Sequence, residues 1–221
     1  MQNGHKDNEK YYSEQDKINI TKMREVLITL PHFCKQYFRG IEEVTSARTR
    51  LGYAYDLRTF FEFLHEQNSF CKKTEIPDYK ISLLDQITRE DIEEYLEYLS
   101  LYDKEGKEIS NLEHGKARKI SALRSLYNYF YKAELITTNP PSLINMPKMH
   151  EKAIIRLEPD EVAIMLDKVE NGDKLTKSQQ KYHSKTKLRD VALITLLLGT
   201  GIRVSECVGL DIEDVDFKNN G

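Results

Sequence analysis

Residues 189–206 read RDVALITLLLGTGIRVSE, and the chemistry this stretch suggests decides how the rest of the 221-residue chain is read. Lys187 to Leu198 is strongly apolar, with its longest clean run at about Val191 to Leu198, which predicts a buried helix. Gly199-Thr200-Gly201 breaks it, since glycine adopts backbone conformations that other residues avoid. Arg203 follows the break directly and opens a second, short helix that runs to Leu210. A planar guanidinium fixed at a helix start is suited to grip a phosphate. Glu206 lies three residues on, on the same helix face, where it can orient that guanidinium. The residues alone leave a second reading open, in which Arg203 and Glu206 form a buried pair that only ties two helices together.

Outward from this point, Asn171 to Ser184 reads as a polar loop. The stretch from Leu157 or Glu158 to Val169 reads as a helix with Pro159 in its first turn. Thr137 to Pro147 (TTNPPSLINMP) holds three of the six prolines, which fix φ and stop helices. It marks an interdomain linker, expected over 137–152. Before it, Gly115 to Leu135 is a helix with Ile120, Leu123, Tyr127, Phe130 and Tyr131 inward. Asp103 to Asn111 is a polar connection containing a glycine. Thr88 with Asp91 resembles a capping box ahead of Ile92, Tyr95, Leu96 and Leu99. A long helix from Thr45 to about Glu66 carries Tyr53, Leu57, Phe60, Phe61 and Leu64 on one face. Ile20 to Phe38, interrupted by Pro31, reads as a short helix and a further helical turn. Residues 1–19 are expected to be a flexible polar tail, and 20–136 a helical domain. Residues 153–221 are expected to be part of a second domain. Val215 to Phe217 looks like the start of a strand and Asn219-Asn220-Gly221 like a hairpin turn. A strand without a partner is an incomplete unit, so the second domain is expected to be unfinished.

Composition narrows the class. With 39% hydrophobic and 31% charged residues the chain is neither disordered nor membrane-like. No apolar run reaches the ~18 residues of a membrane span, and the polar start is no secretory signal. Three cysteines (Cys34, Cys71, Cys207) without CxxC spacing point to reduced thiols in a cytoplasmic setting, and away from a disulfide framework or a zinc site. The net charge of −3 argues weakly against a nucleic-acid partner, but it hides blocks of opposite sign. Residues 85–113 hold ten acids and three bases, whereas 116–148 and 177–203 each hold six bases and one acid. Residues 211–216 carry four acids and no base. The basic blocks are candidate phosphate contacts, or else solvated helix faces.

The segment GTGIRVSECVGLDIEDVDF (199–217) resembles the first conserved block of the tyrosine recombinases, the phage integrase family. TSARTRLGYAYDLRTFFEFL (45–64) and KARKISALRSLYNYFYKAELITTNPPSLINMPK (116–148) resemble the core-binding domain of that family. The resemblance covers roughly residues 23–221. It implies a mainly α fold: a helical-bundle, SAM-like core-binding domain, then the first helices of an α/β catalytic domain. It implies site-specific DNA recombination or integration, as in mobile genetic elements. There a tyrosine attacks a DNA phosphodiester to give a 3′-phosphotyrosine and a free 5′-hydroxyl, and no cofactor or metal is required. Arg203 then corresponds to the first catalytic arginine, on the scissile phosphate, with Glu206 as its supporting acid. The resemblance also implies a duplex-DNA partner, tetrameric assembly of full-length members on paired sites, and no membrane partner.

The family further requires a lysine on a hairpin, a His-x-x-Arg pair, another His or Trp, and the nucleophilic tyrosine, all after the arginine block. None of the six histidines here has Arg three residues later, and all thirteen tyrosines precede Arg203. The expectation is therefore a truncated member that binds DNA and does not cleave it. The alternative is a non-catalytic DNA-binding protein or remnant that occupies recombination sites. A weaker alternative is an all-α interaction module without a DNA role. For DNA contact, Thr45, Ser46, Arg48 and Arg50 crowd one helix start, where free amides also attract phosphate. Lys116, Arg118, Lys119, Ser121 and Ser125 lie on or beside the polar face of the helix from Gly115. By the resemblance these two helices face the duplex. In the linker, Lys148 and Lys152 are further candidates to track phosphates as the chain crosses the DNA.

Overall fold

A computed structural model describes residues 4–104, 106–146, 148, 156–216 and 218. The expected linker at 147 and 149–152, including Lys152, lies outside the described residues, as do Phe217 and the turn at 219–221. The described residues are mostly helical. It divides into two compact units, Tyr11–Glu151 and Lys152–Gly221 with Met1–Lys10.

α1 runs Gly4–Ile28 and belongs to the first unit from Tyr11 on, so the segment expected as a tail is helical from Gly4. Its many Lys, Glu and Gln residues are good helix formers even without an apolar stripe. Met23 and Val26, near its end, join the core. After Pro31, α2 (Cys34–Gly40) follows. Next comes α3 (Ala47–Gln67), capped by Ser46 rather than Thr45: the Ser46 hydroxyl accepts from the Thr49 amide at 3.2 Å. α4 (Arg89–Tyr98) starts on the capping box read from Thr88 and Asp91. α5 spans Glu113–Lys132. The α3 residues Leu57, Phe60, Phe61 and Leu64 and the α5 residues Ile120, Leu123, Tyr127 and Phe130 are all buried in one core. Aromatic edges lock it, with Phe60 and Tyr95 centroids 5.1 Å apart and Phe33 and Phe130 5.6 Å apart.

The connection expected over 103–111 contains a small hairpin. β1 (Tyr102–Lys104) pairs antiparallel with β2 (Lys107–Ile109), Tyr102 opposite Ile109. Gly106, at φ +76°, turns the chain, and its amide donates to Asp103 Oδ1 at 3.0 Å. Lys104 Nζ reaches Glu62 Oε2 at 2.6 Å and ties the hairpin to α3.

Much of the expected linker is packed on this unit. Arg124 of α5 donates Nε to Pro141 O at 3.0 Å and Nη2 to Ile144 O at 2.5 Å. Asp85 Oδ1 accepts from the amides of Thr137 and Thr138 at 2.7 and 2.9 Å. Ile136, Pro140, Pro141 and Ile144 are buried.

In the second unit, α6 (Pro159–Asn171) is capped by Glu158 and ends at Gly172. α7 runs Lys177–Thr200, so half of the expected loop is helix, started by a reciprocal cap between Thr176 and Gln179. α6 and α7 pack together, and the His183 ring Nε2 hydrogen-bonds Val169 O at 2.7 Å. The expected burial of α7 is not observed. Of the described α7 residues none is buried, and Leu193 and Leu198 stay about two-fifths exposed, because α6 covers only one side. α8 is short (Val204–Val208) and buries Cys207. No strand forms at Val215 or Asp216; a 3-10 turn at Ile212–Asp214 precedes them.

Candidate nucleic-acid interface

The arginine block is built by its backbone. α7 ends at Gly201, which takes φ +67°, and its amide closes the helix on Leu197 O at 3.0 Å. Two residues later Arg203 is the N-cap of α8. Glu206 reaches back to it twice. Its Oε2 accepts from the Arg203 amide at 2.7 Å and its Oε1 from Arg203 Nη1 at 2.9 Å. The Arg203 side chain is 82% exposed, so the buried-pair reading is overturned: the pair ties no helices together. A surface pair of this kind adds little stability, but it does fix where the guanidinium starts from.

On the first unit the candidate contacts separate into two groups. Arg48 is exposed on α3, and Ser46 is exposed at its cap. One helical turn beyond Arg48 is Gly52, where an added Cβ would lie 3.6 Å from Arg118 Nη1. Arg48, Gly52 and Arg118 therefore share one face of the α3–α5 pair. Arg118 is 54% exposed although Nη1 bonds Asp56 Oδ2 at 2.6 Å. Thr45 is half-buried and donates to Ile41 O at 2.5 Å. Lys116 is half-buried and donates to Ser100 Oγ at 2.6 Å. Ser121 donates to Ala117 O at 2.9 Å, and Ser125 accepts from the Tyr37 hydroxyl at 2.8 Å.

Two expected contacts are corrected. Arg50 is buried, with Nη1 donating to Glu42 O at 2.7 Å and Thr45 O at 2.6 Å, so its fork closes the turn before α3 instead of meeting DNA. Lys119 is buried as well, with Nζ 3.2 Å from Asp56 Oδ1. The reason is Asp56, a carboxylate on the apolar face of α3 that is only 2% exposed. An ion so placed needs opposite charge beside it, and Lys119 and Arg118 supply it. Burial pushes the Asp56 carboxyl above its ordinary value, and the two cations pull against that shift. Asp56 was missed among the site residues. The available signal was a lone acid between Tyr53, Leu57 and Phe60 on an inward stripe.

Several tyrosines are core groups. Burial, then the charge of Glu66, pushes the Tyr98 phenol up to about 12, and burial carries Tyr79 to about 12. Tyr37, Tyr95 and Tyr127 are raised by burial too. A phenol held protonated in this way is a poor nucleophile. Among the described residues no group of three or more His, Cys, Asp or Glu is placed to hold a metal ion, and no helix is long and apolar enough to cross a membrane.

Comparison with known proteins matches two segments of the chain. Residues 156–221 match the phage integrase family, and residues 34–134 match the phage integrase N-terminal SAM-like domain. The chain belongs to the phage integrase family of tyrosine recombinases. Tyrosine recombinase XerC of Caldanaerobacter subterraneus subsp. tengcongensis is 32% identical over 186 residues, 81% of this chain and 47% of the relative. XerC of Pediococcus pentosaceus is 31% identical over 184 residues, 83% of this chain and 52% of the relative. XerS of Streptococcus uberis is 28% identical over 224 residues, 90% of this chain and 62% of the relative. The chain thus spans about half the length of the two XerC relatives. No solved structure matches it. Within the family, the matched segments place the α3–α5 face in the SAM-like domain and Arg203 in the integrase segment.

Proposed function

We propose that this chain binds duplex DNA and serves site-specific recombination or integration. The α3–α5 face of its helical unit lies against the backbone, and Arg203 grips the scissile phosphate. The observation that carries this reading is the presentation of Arg203. It caps α8, is held by Glu206 and leaves 82% of its side chain open to an incoming anion. Arg48 and Arg118, exposed together on one face, supply the phosphate contacts of the first unit. Residues 1–221 contain no His-x-x-Arg, and all thirteen tyrosines precede Arg203. The reading therefore assigns DNA binding, and not cleavage, to these 221 residues. Assembly on paired sites, the absence of a cofactor and a cytoplasmic location belong to the same proposal.

The experiment is equilibrium binding of the chain to fluorescent duplex DNA, with Arg48→Ala, Arg118→Ala and Arg203→Ala beside the unaltered protein. Each substitution is expected to weaken binding and to reduce the slope of log affinity against log salt by about one. Unchanged affinity and slope for all three would overturn the reading.

A further inference from the structure

The Asp56 cluster has a feature that stability alone does not explain. Asp56 is 1% exposed at its side chain and meets two cations of very different exposure. Lys119 is 8% exposed, so it neutralises one oxygen from inside. That single bond is enough to keep the buried carboxylate from being an isolated charge. Arg118 reaches the other oxygen from the surface with Nη1 at 2.6 Å, and more than half of its side chain stays in solvent. A guanidinium is a planar fork with donors on more than one edge. With Nη1 engaged, the Nε–Nη2 edge remains a two-pronged donor, and its orientation is set by the carboxylate behind it. A free surface arginine would lose rotamer freedom on binding, whereas this one has already lost much of it.

We propose that Asp56 is a positioning residue that presents Arg118 to DNA, with Lys119 bonded to its other oxygen from within. The proposal rests on the DNA-binding reading above and adds to it a buried group that never touches the ligand. Its signature runs against simple electrostatics. A carboxylate close to DNA repels it, so removing that charge should tighten binding if charge were all that mattered. If positioning dominates, removing it weakens binding.

The test is a double-mutant cycle in DNA affinity on the complete 221-residue chain, using Asp56→Asn and Arg118→Ala. Asn keeps an oxygen that accepts from Lys119, and circular dichroism with thermal melting checks the fold. The expected result is a loss on the order of tenfold for Asp56→Asn, with the salt slope kept because no cation is lost. In the Arg118→Ala background, Asp56→Asn should produce no further loss. Arg118→Lys, a surface change that keeps the charge and removes the fork, should bind about as weakly as Arg118→Ala. This variant decides the matter if Asp56→Asn does not fold. Asp56→Asn that folds and binds as tightly as the unaltered chain, or more tightly, would overturn the proposal. So would a loss that persists without Arg118, or Arg118→Lys that binds normally. If the unaltered chain shows no salt-dependent binding, the DNA-binding reading itself fails; normal binding with any of these contrary results refutes only the role of Asp56.

Discussion

Glu206 holds Arg203 at two points, Oε2 on its backbone amide at 2.7 Å and Oε1 on its guanidinium Nη1 at 2.9 Å. One carboxylate thus starts α8 and aims the arginine that the helix presents. Both ends of the contact lie in water, so its contribution is positional before it is energetic.

Glu206→Ala should lower stability by no more than about 1 kcal/mol. It should also free the Arg203 side chain. Nitrogen relaxation of the Arg203 Nε–H group checks this, with faster local motion expected in the variant. Unchanged relaxation would mean that Glu206 does not restrain the guanidinium.

Gly201→Ala tests the backbone break. Gly201 sits at φ +67° with nothing within 4 Å of an added Cβ, so the penalty is purely conformational. Placing an L residue there should cost about 1 kcal/mol. Thermal melting measures it, and a neutral or stabilising effect would contradict the left-handed assignment.

Arg48 and Arg50 should behave as opposites although they are two residues apart. Arg50→Ala removes a charged donor from two carbonyls and should destabilise by roughly 1–3 kcal/mol. Arg48→Ala should stay within about 0.5 kcal/mol of the unaltered chain and lose DNA affinity instead. Urea denaturation alongside DNA titration separates the two effects.

Two carboxylates should titrate in opposite directions. Burial works to raise Asp85, but hydrogen bonds from Thr137 and Thr138 outweigh it and hold its carboxyl below the ordinary value. Its contribution is therefore present above the ordinary value of about 3.9 and is lost as pH falls through the lower folded value. Burial raises Asp56 despite Lys119 and Arg118. Its contribution is fullest below about 3.9 and is lost as pH rises through the higher folded value. Carboxyl-carbon titration by NMR should place Asp85 below and Asp56 above the ordinary aspartate value. The reverse order would refute the account of both sites.

The helices that bury an apolar stripe were legible because their period is visible: Leu57, Phe60 and Leu64 on α3, and Ile120, Leu123 and Tyr127 on α5, lie inward as their spacing implies. The cap at Thr88 and the helix start with Pro159 in its first turn were legible because such end chemistry is local. Features that depend on distant partners were not. Arg50 and Lys119 look like surface cations in sequence. Their burial follows from Glu42 and Thr45 backbone carbonyls in one case and from Asp56, 63 residues away, in the other. The prolines at 140 and 141 correctly end the helical pattern. However, only the reach of Arg124 across to Pro141 O and Ile144 O shows that this segment docks on α5. For α7, apolar composition predicted burial, but the charged residues Lys177 to Arg189 extend the same helix into solvent, and its apolar end is covered on one side only.

The central claim, that this chain meets duplex DNA through a few exposed arginines, is tested most directly by affinity for duplex DNA across a salt series. The account predicts binding at low salt, with log affinity falling linearly against log salt at a slope of a few units, about 0.9 for each phosphate contacted. No binding at low salt, or affinity indifferent to salt, would contradict it.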